Sequence, residues 1–115
     1  MIIDGRAAAA TVRARVAEGV AAFAARHGRP PGLVGIQVGD DPASEIYQAG
    51  TQRAAEEAGM VSRRIRLPAG TTQAELDTVI DELNADDAVD GMLVQLPVPP
   101  PLAEPAIAAR IHPDK

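Results

Sequence analysis

The run Gly91-Met92-Leu93-Val94-Gln95-Leu96, followed by Pro97-Val98-Pro99, constrains this chain more than any other stretch. Its apolar body reads as a buried strand, and the prolines forbid that strand to continue, because proline brings no N–H to a ladder. A polar amide at the exit of such a strand stands where open α/β sheets place their ligands, outside the carboxyl ends of the strands. Gln95 is therefore a site candidate on position alone.

The rest of the chain supplies partners for that strand. From about Asp4 to His27 an alanine-rich segment carries Val12, Val16, Val20 and Phe23 at three- and four-residue steps, which predicts a helix with one apolar face. Gly28-Arg29-Pro30-Pro31 ends it. Leu33–Val38 reads as a short buried strand, and Gly39–Ala43 as a turn with Asp41 or Ser44 available as a cap. A helix then runs from Ser44 to Ala58, with Gly59 suited to its C-terminal cap. Val61–Leu67 is a second strand whose Val61, Ile65 and Leu67 share one face, and its three arginines suggest a sheet edge. Thr71 or Thr72 caps a helix through Asn84, with Leu76, Val79, Ile80 and Leu83 forming its apolar stripe. The third strand is expected at Gly91–Leu96, and a last helix at Glu104–Ile111 with Pro105 in its first turn. Helices alternating with strands over short connections give right-handed crossovers. The expected fold is a three-layer α/β/α domain with a mostly parallel sheet, occupying residues 1–115 as a single unit.

Composition excludes several classes. The chain has no cysteine, so disulfide, thiolate-metal and thiol chemistry are absent. Its net charge is -5 and its basic residues are scattered, so a nucleic-acid surface is not expected. No stretch approaches the length of a membrane span, and no signal-like start is visible, so a cytoplasmic small-molecule protein is the default expectation. No Gly-x-Gly-x-x-Gly and no phosphate loop occur. His27 and His112 are far apart and without spaced partners, so a metal site is not expected.

The segments expected at the carboxyl edge of the sheet are Gly39–Ser44, Pro68–Thr71 and Gln95–Pro101. The second helix rises from that edge and places Tyr47, the only tyrosine, in its first turn near Gln95. An aromatic face, an amide and helix N-terminal N–H groups suit a flat heteroaromatic ligand with amide-like edges. Composition alone leaves Tyr47 equally readable as a packed core residue. Ser44 has no His or Lys within its helix to activate it, and the paired aspartates read as turn residues.

These residues also fall into a known pattern. Ile2-Ile3-Asp4-Gly5-Arg6, Val38-Gly39, Asp41-Pro42-Ala43-Ser44 with Tyr47, Glu56-Glu57-Ala58-Gly59, Asp90-Gly91-Met92-Leu93-Val94-Gln95-Leu96-Pro97 and Ile111-His112-Pro113-Asp114-Lys115 run from end to end of the chain. Together they resemble the amino-terminal, folate-binding domain of bifunctional methylenetetrahydrofolate dehydrogenase/methenyltetrahydrofolate cyclohydrolase. The resemblance implies a pocket for a tetrahydrofolate derivative, with Tyr47 packed on the pterin and aminobenzoyl region and Gln95 positioning a catalytic lysine. It also implies that the backbone around Val94, Leu96 and Pro97 lines the pterin site.

In that family the lysine lies four residues after the tyrosine, and here that position is Thr51. Threonine has no titration near neutrality, and Arg53, about 200° further around the helix, stays protonated at any working pH. The resemblance therefore implies catalytic positions at Tyr47, Thr51 and Gln95, with ordinary cyclohydrolase activity impaired and Thr51→Lys expected to raise it. The family's NAD(P)-binding Rossmann domain has no counterpart in these 115 residues, so NAD(P) binding and hydride transfer by this chain alone are not expected. Three readings follow: an enzyme domain acting on a folate one-carbon adduct, a non-catalytic folate-binding or assembly module, and a degenerate fragment that does neither. Apolar surface near Pro97–Leu102 and the last helix is expected to be covered by self-association or by a separate partner protein.

Overall fold

A computed structural model describes all 115 residues. The elements are α1 (Gly5–His27), β1 (Gly32–Val38), α2 (Pro42–Glu57), β2 (Val61–Leu67), α3 (Gln73–Ala85), β3 (Gly91–Val94) and α4 (Glu104–Arg110). The strands form one parallel sheet in the order β2-β1-β3. The arginine-bearing β2 is an edge, as its charge suggested. The expected α/β/α fold with a parallel sheet is the one observed.

Local chemistry sets the helix ends. Asp4 caps α1 by accepting from the N–H groups of Arg6 and Ala7, and Gly28, at φ 71°, closes it. Asp41 accepts from Ser44 N–H at 3.0 Å, with Pro42 in the first turn of α2. Thr72 rather than Thr71 caps α3, through the N–H of Glu75 at 3.1 Å. Thr71 instead turns inward, donating its hydroxyl to the Pro68 carbonyl at 2.6 Å.

The two faces of the sheet differ in chemistry. Val34, Ile36 and Val38 of β1, with Met92 and Val94 of β3, point to one side and pack against Leu76, Ile80 and Leu83 of α3 and Ile107 of α4. Ile65 and Leu67 of β2 join them from the edge. This is the hydrophobic core, and it lies on one side only. The opposite face carries Leu33, Gly35 and Gln37 of β1 beneath α2, paired in register with Ser62, Arg64 and Arg66 of β2.

Three expectations need correction. β3 ends at Val94 rather than Leu96: Gln95 donates one last ladder bond to the Ile36 carbonyl at 2.8 Å before the chain leaves for the prolines. In a three-stranded sheet β3 is also an edge, so Leu93 is 41% exposed and the run is buried on one face only. The apolar face of α1 is largely unused: Val20 is buried, but Val12 is 57% and Val16 36% exposed. α1 is about 34 Å long, and the radius of gyration, 15.6 Å, exceeds the ~13 Å of a compact chain of this length. Its first half therefore projects from the body. Val61, the first residue of β2, is exposed as well.

Candidate functional site

α2 turns an i, i+4, i+7, i+11 stripe toward the sheet: Ser44, Gln48, Thr51 and Ala55. Ser44, Gln48 and Ala55 are buried and Thr51 is half-buried. Beneath them Gln37 is also buried, so three of the four buried polar residues lie between α2 and β1. The fourth is Thr71. A polar layer inside a domain costs stability unless each group is paired. Here pairing is incomplete, since Gln37 Oε1 and Gln48 Nε2 have no hydrogen-bond partner in the protein.

Part of this layer is tied to the sheet edge by charge. Glu45, in the first turn of α2, holds Arg64 at 2.9 Å and Arg66 at 2.7 Å. Arg64 also donates through Nε to Gln48 Oε1 at 3.4 Å. Gly35, the β1 partner of Arg64, lets Gln48 lie directly on the strand, for a Cβ there would stand 2.7 Å from Gln48 Nε2.

The carboxyl edge of the sheet forms a crevice in two lobes. One, of about 330 Å³, is lined by Gly39, Asp40, Arg66, Leu67, Pro68 and Ala69. The other, of about 390 Å³, lies between Gly39–Asp41, Ala69 and Pro97–Pro100. The three segments expected to meet at this edge do so. Gly39 has φ 90°, a conformation that suits glycine, and it sits against Pro99 and Ala69.

The sequence-derived site residues are not gathered in one cavity, and Thr51 borders Leu33 and Gly35, nearer the start of β1 than this edge. Tyr47 is in the second turn of α2, not the first, because the helix starts at Pro42; its side chain is 62% exposed. Thr51 is one turn on, and its hydroxyl donates to the Tyr47 carbonyl at 3.1 Å. Gln95 is half-buried just beyond β3 and its Nε2 donates to the Leu96 carbonyl at 3.3 Å. No hydrogen bond joins the Tyr47, Thr51 and Gln95 side chains. The Val94 side chain belongs to the core on the other face, which leaves only its backbone for the site. Leu96 is 48% exposed, and Pro97 lines the second lobe.

The sequence reading missed Gln37 and Gln48. The signal was available: a glutamine between Ile36 and Val38 in an apolar strand, and a second at the centre of the sheet-facing stripe of α2.

With this geometry in view, comparison with known proteins decides the family. The tetrahydrofolate dehydrogenase/cyclohydrolase catalytic-domain model matches residues 3–115. The chain belongs to that family. It is 52% identical over 114 residues to bifunctional protein FolD 3 of Rhizorhabdus wittichii, an alignment covering 99% of this chain and 38% of the relative. It is 53% identical over 114 residues to bifunctional protein FolD of Dinoroseobacter shibae, again covering 99% and 38%. Among solved structures it resembles the FolD methylenetetrahydrofolate dehydrogenase/cyclohydrolase of Campylobacter jejuni, with a TM-score of 0.91, 38% identity, and 97% and 39% of the two chains covered. The Trypanosoma brucei FolD enzyme, solved with NADP cofactor and an inhibitor, gives a TM-score of 0.89 at 35% identity, with 98% and 38% covered. The chain thus spans under two fifths of the length of these relatives.

Proposed function

We propose that residues 1–115 form a tetrahydrofolate-binding domain that binds, or acts on, a folate one-carbon adduct at the carboxyl edge of the sheet. The observation that carries this reading is the one-sided polarity of the sheet. The α3/α4 face holds the apolar core, with Arg63 only at its β2 edge, while the α2 face keeps Gln37, Gln48 and Thr51 between helix and sheet beside Gln95 and Tyr47. Tyr47 offers an exposed ring for stacking on a pterin or aminobenzoyl group. Gln95, Leu96 and Pro97, with the Val94 backbone, form the wall beside it, and the Gln95 amide supplies hydrogen bonds to a heterocycle edge.

Position 51 determines what chemistry the site retains. Cyclohydrolase chemistry adds water to the methenyl bridge carbon and opens the ring to the 10-formyl compound, with protons moved by a group that titrates near neutrality. Thr51 cannot do this, and its hydroxyl proton is already directed at the Tyr47 carbonyl. Loss of a general acid/base costs about 10²–10⁴ in rate, so ordinary cyclohydrolase turnover is impaired in this copy. The same hydroxyl contact favours the second reading, a folate-binding or assembly module without turnover. NAD(P) is assigned to the portion of the FolD relatives outside the matched region, not to these residues. A second copy or a separate partner is proposed to cover the face beside Pro97–Leu102.

The test is a calorimetric titration with tetrahydrofolate beside an absorbance assay of methenyltetrahydrofolate hydrolysis. Binding with weak or no turnover supports the proposal. Absence of binding at sub-millimolar ligand refutes it.

A further inference from the structure

Gln48 is the least expected residue of the polar layer. It is 4% exposed, its Oε1 is held by Arg64, and its Nε2 has no protein partner. An unpaired buried N–H destabilises the fold, so a leucine of similar size would serve it better. The amide lies flat on Gly35, where any Cβ would collide with it at 2.7 Å. Gln48, Gly35, Thr51 and Leu93 border one cleft of about 10 Å³, room for no more than a single water molecule.

From this we infer that Gln48, seated on Gly35, is a specificity-determining residue that fixes what position 51 can present to the site. Its amide fills the space above the sheet that a longer side chain at 51 would need, in a cleft that Arg63 and Arg64 also line. The inference rests on reading position 51 as the centre of the site's chemistry, but the packing it describes is independent of any ligand. A lysine at 51 needs room for Cδ, Cε and Nζ, which a one-water cleft does not provide. Its alternative is the open groove of about 280 Å³ on the other side of Thr51, lined by Val16, Ala54 and Ala58 with Arg13 at its rim, where the amine reaches solvent. Thr51→Lys alone therefore yields a hydrated amine rather than a tuned one. Removing the Gln48 side chain opens the path over Gly35.

The experiment exploits the sequence, because Lys115 is the only lysine. Chains labelled with ¹³Cε-lysine give one background resonance and one new one in T51K and in Q48A/T51K, and pH titration of each amine is followed by NMR. T51K should titrate near the ordinary lysine value. Q48A/T51K should titrate lower by more than about one unit, because the amine in that cleft is partly desolvated and faces Arg63 and Arg64, which line it. A depressed value in T51K alone, or an ordinary value in the double variant, overturns the inference. Should the buried lysine unfold the chain, T51M, Q48A and Q48A/T51M give the same answer without charge. T51M should lower Tm, and adding Q48A should recover most of that loss; simple additivity of the two shifts overturns the inference. None of these measurements requires folate to bind, so they fail or succeed separately from the folate titration.

Discussion

Replacing Asp90 with asparagine keeps the shape of a side chain that ties three elements together and removes its charge. Its carboxylate accepts from Arg29 Nη1 at 2.7 Å and Nη2 at 3.0 Å, and from the N–H of Gly32 at 2.8 Å. Arg29 follows α1 and sits 5.3 Å from the Phe23 ring centroid, while Gly32 opens β1 and Asp90 precedes β3. Hydrogen bonds to a charged group are worth about 1.5–3 kcal/mol each where dry. The Asp90 and Arg29 side chains are 28% and 37% exposed, and solvent screening reduces the value of such a pair. Asparagine also keeps one acceptor for Gly32. The expected loss for D90N is about 1–2 kcal/mol, or roughly 4–8 °C in Tm for a chain of this length. The Arg29 hydrogen bond, above all, holds the Asp90 carboxyl below the usual carboxylate range, helped by the Gly32 N–H and opposed by burial. A depressed acid stabilises the fold fully above its unfolded value of about 3.9, and that contribution disappears once pH has fallen through the lower folded value. Urea melts of wild type and D90N from pH 7 to pH 2 should show a gap that is constant at neutral pH and closes in acid. Asp81, lowered mainly by its hydrogen bond to Arg110, titrates in both proteins and cancels in the difference. A gap below 0.5 kcal/mol at pH 7, or one that persists unchanged at low pH, refutes the clamp.

Three further substitutions test the local arguments by thermal or urea melts. Gly32→Ala places a Cβ 2.2 Å from the Ala88 carbonyl oxygen, a collision with backbone that should cost at least about 2–3 kcal/mol. Gly50→Ala meets nothing within 4 Å in the middle of α2 and should add about 0.5–1 kcal/mol. Asp41→Ala removes the cap of the helix that carries Tyr47 and Thr51 and should cost about 1 kcal/mol, while Asp40→Ala, whose side chain caps nothing, should cost less.

Element order and core were legible because periodicity carries them: Leu76, Ile80 and Leu83 at helical spacing and Val34, Ile36 and Val38 of β1 are all buried. What failed is what periodicity cannot see. A continuous apolar run such as Met92–Val94 does not reveal how many strands flank it, and here no strand covers the outer side of β3. An apolar stripe on α1 does not guarantee a partner for it either, and Val12 and Val16 have none. For the site, the wall at Gln95–Pro97 and the edge segments were readable from strand ends and breakers. The interior glutamines left a weaker trace, a polar residue between Ile36 and Val38 and another on the sheet-facing stripe of α2, and their burial becomes plain only once α2 is laid across β1.

Gln37 puts the whole reading at risk in one variant. It lies 2% exposed between Ile36 and Val38, with Oε1 unpaired and Nε2 making only a 3.4 Å contact to the Gly39 carbonyl. A strand selected for stability alone would carry an aliphatic residue there, as it does at its neighbours. Gln37→Leu removes an unsatisfied polar group at little change in volume, so stability should hold or rise by up to about 1 kcal/mol. Folate affinity, measured by calorimetry, should fall at the same time, the exchange expected when a binding face is kept polar at the expense of the fold. Unchanged affinity in a stabilised Gln37→Leu would mean that the α2 face is polar for some reason other than the ligand. The proposed site would then have to move to the outer lobes of the crevice, away from the interior glutamines and from position 51.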